Sequence, residues 1–157
     1  MRIGLISDTH GRLRNEVFEI LAGVDAILHA GDVGPAALLV ELEAIAPVSA
    51  VWGNTDGPEL RATLPETAVL ELGGRTVVVV HGHQLGSPTP AGLRAAHPEA
   101  AVIVYGHTHR PLVDRGEGLV VNPGSAGAAR FGIPPSVGVL TLENADSVEL
   151  IELPQYS

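Results

Sequence analysis

The stretch Ile103-Val104-Tyr105-Gly106-His107-Thr108-His109-Arg110 contains a strand pattern followed directly by two histidines. The apolar run over residues 101–105 predicts a buried strand, which ends at Gly106. Imidazole is the commonest metal ligand among side chains, and two imidazoles at i and i+2 on a loop beyond a strand can point into one space. A lone His-x-His is weak evidence, so a metal site is predicted only if other strands end in matching chemistry.

Four other predicted strands end in side chains that bind metals. These strands cover residues 2–7, 26–29, 48–52 and 75–80, and the donors that follow them are Asp8 with His10, Asp32, Asn54 and His81. In α/β sheets, ligand sites gather beyond the carboxyl ends of the strands. Glycines adjoin these donors where the backbone must turn sharply and approach its neighbours closely, at Gly31, Gly53, Gly82 and Gly106. We therefore expect seven donors to converge on one rim: Asp8, His10, Asp32, Asn54, His81, His107 and His109.

Taken singly, each of these motifs also has a structural interpretation. Asp8-Thr9-His10 and Asn54-Thr55-Asp56 both suit turns. Asp32 suits the cap of a helix that begins near Pro35. The coincidence of all five motifs at strand ends favours the metal interpretation.

Seven donors exceed what one catalytic ion needs, because a catalytic site keeps one coordination position open for substrate. They suit two divalent ions about 3.5–4 Å apart, which share a bridging carboxylate and clamp the attacking and leaving oxygens of a phosphoryl transfer. Two divalent ions bring four positive charges, Asp8 and Asp32 return two negative ones, and a centre of about +2 remains to attract an anionic phosphate. A hydroxide that bridges the two ions is the expected nucleophile.

The composition excludes several other classes of function. The chain of 157 residues is 45% hydrophobic, which predicts one domain over residues 1–157. Nine basic against 18 acidic residues give a net charge of −9, which disfavours a nucleic-acid-binding face and docking on anionic membranes. The chain has no cysteine, so thiolate–zinc sites and disulfides are excluded. We find no signal-peptide pattern and no apolar stretch of membrane-spanning length, so the cytoplasm is the expected location.

The order of predicted elements is α/β first and mostly β afterwards. Helices are expected over residues 14–22, 36–45 and 91–97, with a helical turn over 60–64. Strands 68–72 and 75–80 flank Gly73-Gly74, which predicts a hairpin with a type I′ turn. After the strand over residues 101–105, short strands over 111–115, 119–121, 137–142 and 148–153 predict an antiparallel section.

As an ordered set, Asp8-x-His10, Gly31-Asp32, Gly53-Asn54, His81-Gly82 and Gly106-His107-x-His109 resemble the calcineurin-like metallophosphoesterases, most closely the small YfcE-type phosphodiesterases. The resemblance covers nearly the whole chain and includes the turn Asn122-Pro123-Gly124-Ser125. It implies an α/β (α+β) fold, a four-layer αββα sandwich of two mixed β-sheets flanked by helices. It also implies that Asp8, His10 and His109 bind one ion, that Asn54, His81 and His107 bind the other, and that Asp32 bridges them. Manganese is the usual activator of the family, with iron, zinc, nickel or cobalt as alternatives that the ligands do not separate.

One position departs from many larger members of the family, in which the residue after Gly-Asn is a histidine that helps to bind phosphate and to protonate the leaving group. Thr55 stands there in this chain, and small members often lack the histidine too. His83 is the candidate catalytic residue that partly replaces it. General acid help is worth roughly 10²–10⁴-fold in rate, so without it good leaving groups should react much faster than poor alkoxides.

Two further residues are candidates for supporting the ligands. Asp56 is expected to orient the Asn54 loop. His29 ends a strand, where a packed core histidine is commoner, and a hydrogen bond to a ligand carboxylate is the functional alternative.

The resemblance favours an enzyme, a metal-dependent phosphodiesterase that acts on a small phosphodiester. One alternative is a phosphomonoesterase or protein phosphatase with the same two-metal site, and another is a non-catalytic scaffold module of the retromer-subunit type. The apolar, stiff segment over residues 131–135 suits either the interface of a homo-oligomer or a loop packed on its own core. The sequence leaves that choice open.

Overall fold

Strands and helices alternate along the first two thirds of the chain, and strands alone follow. The structure is a computed structural model and describes residues 1–154. Its helices are α1 (Asn15–Ile20), α2 (Ala37–Glu43), α3 (Pro58–Thr63) and α4 (Pro90–Ala96). Its strands are β1 (Arg2–Ile6), β2 (Ala26–His29), β3 (Val48–Ala50), β4 (Thr67–Leu72), β5 (Arg75–Val80), β6 (Val102–Val104), β7 (Leu112–Gly116), β8 (Gly118–Asn122), β9 (Ser136–Thr141) and β10 (Ser147–Glu152).

The strands form two mixed sheets within the described residues. The first sheet has the order β10-β9-β1-β2-β3, and the second has the order β4-β5-β6-β8-β7. In the first sheet, β1, β2 and β3 are parallel, and β9 is antiparallel to β1. In the second sheet, β5, β6 and β8 are parallel, with β4 and β7 antiparallel at the edges. The parallel strands therefore deliver their carboxyl ends to one edge of each sheet.

The two sheets pack face to face on an apolar core, which includes Leu5 and Leu28 from the first sheet and Val77 and Val79 from the second. A second apolar cluster joins the outer face of the first sheet to α1, α2 and α3. A third cluster joins the outer face of the second sheet to Leu93 on α4. The layers run helices, sheet, sheet, helix, which confirms the αββα sandwich predicted from the sequence.

The apolar run Val77-Val78-Val79-Val80 occupies the middle of the second sheet, where both faces of β5 are covered. All four valines are buried, with at most 3% of each side chain exposed. Full burial of a valine contributes on the order of 1.5–3 kcal/mol. This run therefore holds the strand that delivers His81 to the sheet edge.

The hairpin predicted at Gly73-Gly74 is confirmed. Leu72 pairs with Arg75 across a two-residue turn, and both glycines have positive φ angles, of 55° and 77°. These are the angles that a type I′ turn requires.

The predicted antiparallel pairing is confirmed within two hairpins, which lie in different sheets, β7 with β8 in the second sheet and β9 with β10 in the first. Strand β8 departs from the prediction on its other edge, where it pairs with β6 in parallel, and its residues Leu119 to Asn122 are buried. A run of five residues does not carry enough pattern to show this. A short 3₁₀ helix, His83–Leu85, was also not predicted.

The sequence places three helices and the helical turn within a few residues of their observed bounds. The turn expected over 60–64 is a helix that begins at Pro58 and carries Leu60 into the core. Within residues 1–154, no helix is long and apolar enough to cross a membrane.

Candidate metal centre

All the predicted donors follow the carboxyl ends of parallel strands. Asp8, Asp32 and Asn54 lie in the loops after β1, β2 and β3 of the first sheet. His81 follows β5, and the pair His107 and His109 follows β6 in the second sheet. The structure thus brings the donor loops of both sheets to one rim, as the sequence predicted.

Asp8, His10 and His109 form the tightest group of donors. The Nε2 atom of His109 lies 3.2 Å from Asp8 Oδ1 and 3.4 Å from His10 Nε2. His10 Nε2 lies 3.9 Å from Asp8 Oδ1. Two ligands of one ion, each bound at about 2.0–2.2 Å, lie roughly 3.0–3.4 Å apart, so this group has nearly the spacing that a single ion requires.

Asp32 and His81 form the core of a second group. His81 Nε2 lies 3.2 Å from Asp32 Oδ2 and 3.1 Å from Asn54 Oδ1. Asp32 Oδ2 also lies 3.8 Å from His10 Nε2, so this carboxylate faces both groups. His107 contacts the group through its ring, whose centroid is 5.2 Å from that of His81.

The Oδ1 atom of Asp8 provides a test of whether these residues fit a cation. Asp8 is fully buried, and Oδ1 has no hydrogen bond from any described residue, although the Nε2 atoms of His10, His81 and His109 lie 3.2–3.9 Å away. A buried charged oxygen without a partner is costly. Three imidazole nitrogens and an unpaired carboxylate oxygen form a donor set that suits a divalent transition-metal ion.

The backbone at the donors is held in a conformation that side chains rarely adopt. Among residues 1–154, six residues other than glycine have positive φ angles, between 47° and 72°, and five of them are predicted donors: Asp8, His10, Asp32, His107 and His109. Each such residue costs about 1 kcal/mol or more, and strain of this kind collects at functional sites. Nothing in the sequence pattern predicted it at the donors themselves.

The glycines beside the donors allow the loops to approach one another closely. A Cβ atom on Gly31 would lie 2.7 Å from His81 Nδ1, and one on Gly106 would lie 2.5 Å from Asp8 Oδ2. A Cβ atom on Gly53 would overlap the Asp32 carboxylate. Any larger residue at these positions would push the ligands apart, which agrees with the close approach predicted from the sequence.

Three polar residues that the sequence analysis did not single out as site residues fix the loop geometry. Ser7 donates a hydrogen bond of 2.6 Å to Asp8 Oδ2, and Ser125 Oγ donates one of 2.8 Å to the Asp8 carbonyl oxygen. Asn122 Nδ2 donates to the Gly106 carbonyl oxygen and the Thr108 hydroxyl. The turn over residues 122–125 was the available signal, but the pattern gives no indication of which loops it contacts.

The imidazole of His81 is oriented by the first sheet. Its Nδ1 donates to the Ala30 carbonyl oxygen at 2.7 Å, which leaves Nε2 facing the oxygens of Asp32 and Asn54, where it can carry a proton or bind an ion. Burial disfavours the charged imidazolium, but the hydrogen bond to Asp32 and the charges of Asp8 and Asp32 outweigh it and raise the pKa of His81. Surroundings that favour a proton on this nitrogen also favour a metal ion there.

Burial by itself would raise the pKa of Asp32. The hydrogen bond and charge of His81, together with the backbone N–H of Thr55, overcome this and hold the pKa of Asp32 well below its usual range. The carboxylate therefore stays ionised, which is the state that binds metal.

His29 is a fully buried histidine whose two ring nitrogens are both occupied. Nδ1 accepts a hydrogen bond from the Gly31 N–H at 3.1 Å, and Nε2 donates to Thr9 Oγ1 at 3.0 Å, since that hydroxyl donates its own proton to the Val33 carbonyl oxygen. His29 is thus a packed core histidine, and in place of the alternative bond to a ligand carboxylate it bonds to Thr9 and Gly31, beside Asp8 and Asp32. Burial lowers the pKa of His29 to about 4, so the ring is neutral.

The Asp56 carboxylate is hydrogen-bonded to the backbone of two donor loops. Its carboxylate accepts hydrogen bonds from the backbone N–H groups of Gly53, Val33 and Gly34 at 2.9–3.2 Å. It therefore connects the Asn54 loop to the Asp32 loop.

His83 and Thr55 lie at the edge of the centre. The ring of His83 stands 5.4 Å from that of His81 and 5.3 Å from that of Trp52, between centroids. Burial and the nearby imidazoles of His81 and His107 lower the pKa of His83. Thr55 is exposed and holds Asp32 through its backbone N–H, as stated above.

The family model and the similar proteins that match this chain all indicate the same family. The model of the calcineurin-like phosphoesterase superfamily domain matches residues 1–145. A probable metallophosphoesterase of Methanothermobacter thermautotrophicus is 36% identical over 151 residues, which cover 91% of this chain and 87% of that protein. The phosphodiesterase YfcE of Escherichia coli is 34% identical over 164 residues, with coverage of 89% and 87%.

Solved structures give the same result for the fold. The structure of a novel archaeal phosphodiesterase has a TM-score of 0.83 and 27% identity, and the match covers 98% of this chain and 100% of that one. The structure of Vacuolar Protein Sorting 29 from Cryptosporidium parvum has a TM-score of 0.79 and 25% identity, with coverage of 97% of both chains.

Proposed function

We propose that this chain, which belongs to the calcineurin-like phosphoesterase superfamily, hydrolyses a small phosphodiester with two divalent metal ions. The observation that carries the proposal is the buried Asp8 Oδ1, which lies among three imidazole nitrogens and has no hydrogen bond within the described part of the chain. The names of the similar phosphodiesterases support the choice of a diester.

We assign two metal positions to the centre. The first position consists of Asp8, His10 and His109, the second consists of Asn54, His81 and His107, and Asp32 lies between them. When bound, the ions supply Lewis-acid stabilisation of the phosphate charge and lower the pKa of a bound water. The protein holds the Asp32 carboxylate ionised and orients the His81 imidazole through the Ala30 carbonyl oxygen. Manganese is the proposed metal, with iron, zinc, nickel or cobalt as alternatives that the donor set also suits.

The reaction adds one water to the diester. A new P–O bond forms from the water oxygen, the P–O bond to the leaving alcohol breaks, and the proton from water passes to the leaving oxygen or to solvent. Thr55 has no acidic proton to give, so we propose that His83 assists departure by a hydrogen bond from its ring N–H to the leaving oxygen, since the lowered pKa of His83 favours the neutral imidazole. If this is right, His83→Ala will slow diesters with poor alkoxide leaving groups more than it slows p-nitrophenyl diesters, whereas an equal effect on both would exclude the role.

A small phosphodiester remains the proposed binding partner, and homo-oligomer formation stays a prediction. A location in the cytoplasm is also still a prediction. The likeness to Vacuolar Protein Sorting 29 raises the alternative of a scaffold of the retromer-subunit type. We favour an enzyme, because a scaffold has no need for seven donors, five of them at strained backbone positions, around a buried carboxylate.

The test is hydrolysis of bis-p-nitrophenyl phosphate beside p-nitrophenyl phosphate, with protein stripped by a chelator and then given Mn²⁺. The comparison variants are His81→Ala and, as a control, His97→Ala, which removes a histidine on the far side of the second sheet. We expect Mn²⁺-dependent cleavage of the diester that His81→Ala abolishes and His97→Ala retains. A preference for the monoester would favour the phosphatase alternative. A folded protein that is inactive with every divalent ion would favour the scaffold.

A further inference from the structure

The turn at Arg130-Phe131-Gly132-Ile133 has an unusual residue at its tip. The Ile133 N–H donates to the Arg130 carbonyl oxygen at 2.8 Å, and Phe131 and Gly132 both have positive φ angles, of 55° and 71°. This is the pattern of a type I′ turn, whose first central position favours asparagine, aspartate or glycine. A phenylalanine there is strained, because its side chain crowds the backbone in the left-handed region.

The strain at Phe131 is not offset by packing. The side chain is 76% exposed. The whole chain has only two phenylalanines, two tyrosines and one tryptophan, so one of its few large aromatic side chains is not used in the core. An exposed aromatic residue that contradicts the local turn preference is a candidate for function, because neither folding nor burial explains it.

The segment that carries Phe131 is fixed to the Asp8 loop. The Ala126 N–H donates to the Ser7 carbonyl oxygen at 2.9 Å, in addition to the Ser125 contact with Asp8 described above. Gly127 lies so close to Thr9 that a Cβ atom on it would stand 2.5 Å from the Thr9 carbonyl oxygen. Pro134 and Pro135 stiffen the return of the chain to β9. The turn therefore extends from the first metal position in a defined direction.

Arg110 lies beside the same metal position in the sequence and also contacts the Phe131 ring. It directly follows the donor His109, and its guanidinium carbon lies 5.9 Å from the centroid of the Phe131 ring. A cation at one side of the ring leaves the rest of the ring open to solvent, in keeping with the exposure of Phe131. In a protein of net charge −9, this pair offers an aromatic surface and a positive charge beside the centre.

We propose that Phe131 stacks on a planar aromatic ring of the substrate, with Arg110 beside it to contact the negative charge of the phosphodiester. The inference rests on the proposed diesterase function and narrows it to diesters that carry an aromatic group, either a nucleobase or a simple aryl ring. Stacking of a base on an aromatic side chain is commonly worth roughly 5–150-fold in affinity.

Three diesters that share the p-nitrophenolate leaving group distinguish a nucleobase site from a general aryl site. They are the p-nitrophenyl diesters of thymidine 5′-phosphate, phenyl phosphate and methyl phosphate. With the full chain loaded with Mn²⁺, we expect Phe131→Ala to lower the ratio of kcat/KM for the thymidine diester to that for the methyl diester by about 10-fold, mainly through KM. A similar fall in the phenyl-to-methyl ratio identifies a general aryl site, and a fall for thymidine alone identifies a nucleobase site. Phe18→Ala, which truncates the other phenylalanine, should keep both ratios.

A second variant separates stacking from folding. Phe131→Asn suits the first central position of the turn, so we expect it to raise Tm by about 2–4 °C while it lowers the thymidine-to-methyl ratio as Phe131→Ala does. Unchanged kcat/KM on all three diesters in both Phe131 variants would overturn the proposal, whereas equal losses on all three in both variants would place the stacking on the p-nitrophenyl ring that the diesters share.

Binding of thymidine 5′-monophosphate tests the inference without activity. By calorimetry on the Mn²⁺-loaded protein, we expect it to bind about 10-fold tighter than inorganic phosphate, and Phe131→Ala to remove that difference. Equal affinity for the two in the unsubstituted protein would reject the stacking role. A protein that binds the nucleotide tightly but hydrolyses no diester would instead reject the proposed function.

Discussion

At the first proposed metal position, His109 Nε2 lies 3.2 Å from Asp8 Oδ1 and 3.4 Å from His10 Nε2. At the second proposed position, His81 Nε2 lies 3.1 Å from Asn54 Oδ1, but His107 meets His81 only through ring contact, with centroids 5.2 Å apart. The two positions also differ in burial. At the first position Asp8 and His109 are buried and His10 is exposed, whereas at the second His81 is buried, His107 is half-buried and Asn54 is exposed. The first position therefore has more of its donors buried and close to one another, and the second is more open to solvent.

Backbone strain follows the same division. All three donors of the first position have positive φ angles, and so does Asp32 between the positions, but at the second position only His107 does. Strain that the surrounding structure maintains keeps ligands in place before an ion arrives. The two ions should therefore differ in affinity. We expect the first position to bind its ion more tightly and the second to exchange its ion more readily.

Asp32→Asn should have the largest effect, because Asp32 faces both positions. We expect kcat/KM for bis-p-nitrophenyl phosphate to fall by about 10³-fold, since bound ions supply several kcal/mol of charge stabilisation and about 1.4 kcal/mol corresponds to tenfold. Steady-state kinetics in Mn²⁺ measures this. Glu41→Gln, which removes an exposed carboxylate on α2, is the matched control. An Asp32→Asn protein within tenfold of the control would show that the carboxylate does not connect the positions.

His109→Ala and His107→Ala compare the two positions directly. We expect His107→Ala to retain one tightly bound Mn²⁺ per chain. We expect His109→Ala to weaken the tighter site by at least about 100-fold, because the loss of a ligand costs more than the loss of a residue that supports one. Mn²⁺ titration followed by electron paramagnetic resonance gives the number and affinity of the ions. If the two variants bind Mn²⁺ with the same stoichiometry and affinity, the positions are equivalent and the comparison fails.

The stability of the metal-free protein tests the role of His29, whose hydrogen bonds to Thr9 and Gly31 lie beside the first proposed metal position. His29 has a pKa of about 4 in the folded protein against 6.5 without burial. Between these values the unfolded chain binds the proton and the folded chain does not, so the free energy of unfolding decreases as the pH falls below 6.5. We expect this to remove about 2 kcal/mol between pH 7.5 and 5.0.

Urea unfolding at the two pH values measures this loss, with His29→Gln as the variant, because glutamine does not titrate. The raised pKa of His81 acts in the opposite direction, stabilising the folded state at low pH, but it is common to both proteins and cancels in the comparison. An equal loss of stability in both proteins would show that His29 is not the group that titrates. His97→Gln controls for the removal of a histidine elsewhere.

The sequence pattern was sufficient to predict the rim, because each donor loop has a local signature, whereas the αββα layers were implied by the resemblance to a family. A short apolar run followed by a polar donor recurs at Asp8, Asp32, Asn54, His81 and His107, and a glycine adjoins the donor at the last four. Two of these strands, β2 and β5, also begin and end where the pattern placed them. Local patterns fail where a contact joins distant parts of the chain. The bond from Ser125 to Asp8 spans 117 residues.

The difference between the two metal positions could not be predicted from the sequence, because it too depends on contacts between distant parts of the chain. The resemblance gave three donors to each position and treated them alike. What separates them is the positive φ angles of residues such as His10 and His109, and these depend on how the loops of two sheets fit together. His29 shows a related limit: its bonds to Thr9 and Gly31 require knowledge of which loops are neighbours.

Asp56→Asn should have the smallest effect and should act on the second position. An asparagine retains one acceptor oxygen but turns an amide NH₂ towards the N–H groups of Gly53, Val33 or Gly34, so the Asn54 loop loses part of its support. We expect about a 10-fold loss of affinity for the weaker Mn²⁺ ion, the lower end of the effect of a residue that supports a ligand. The same titration that separates His107→Ala from His109→Ala measures it, and Glu59→Gln, an exposed carboxylate on α3, is the control. A loss confined to the tighter ion would mean that Asp56 acts through Asp32 on the first position, and the division of the centre into a preassembled and an open position would have to be redrawn.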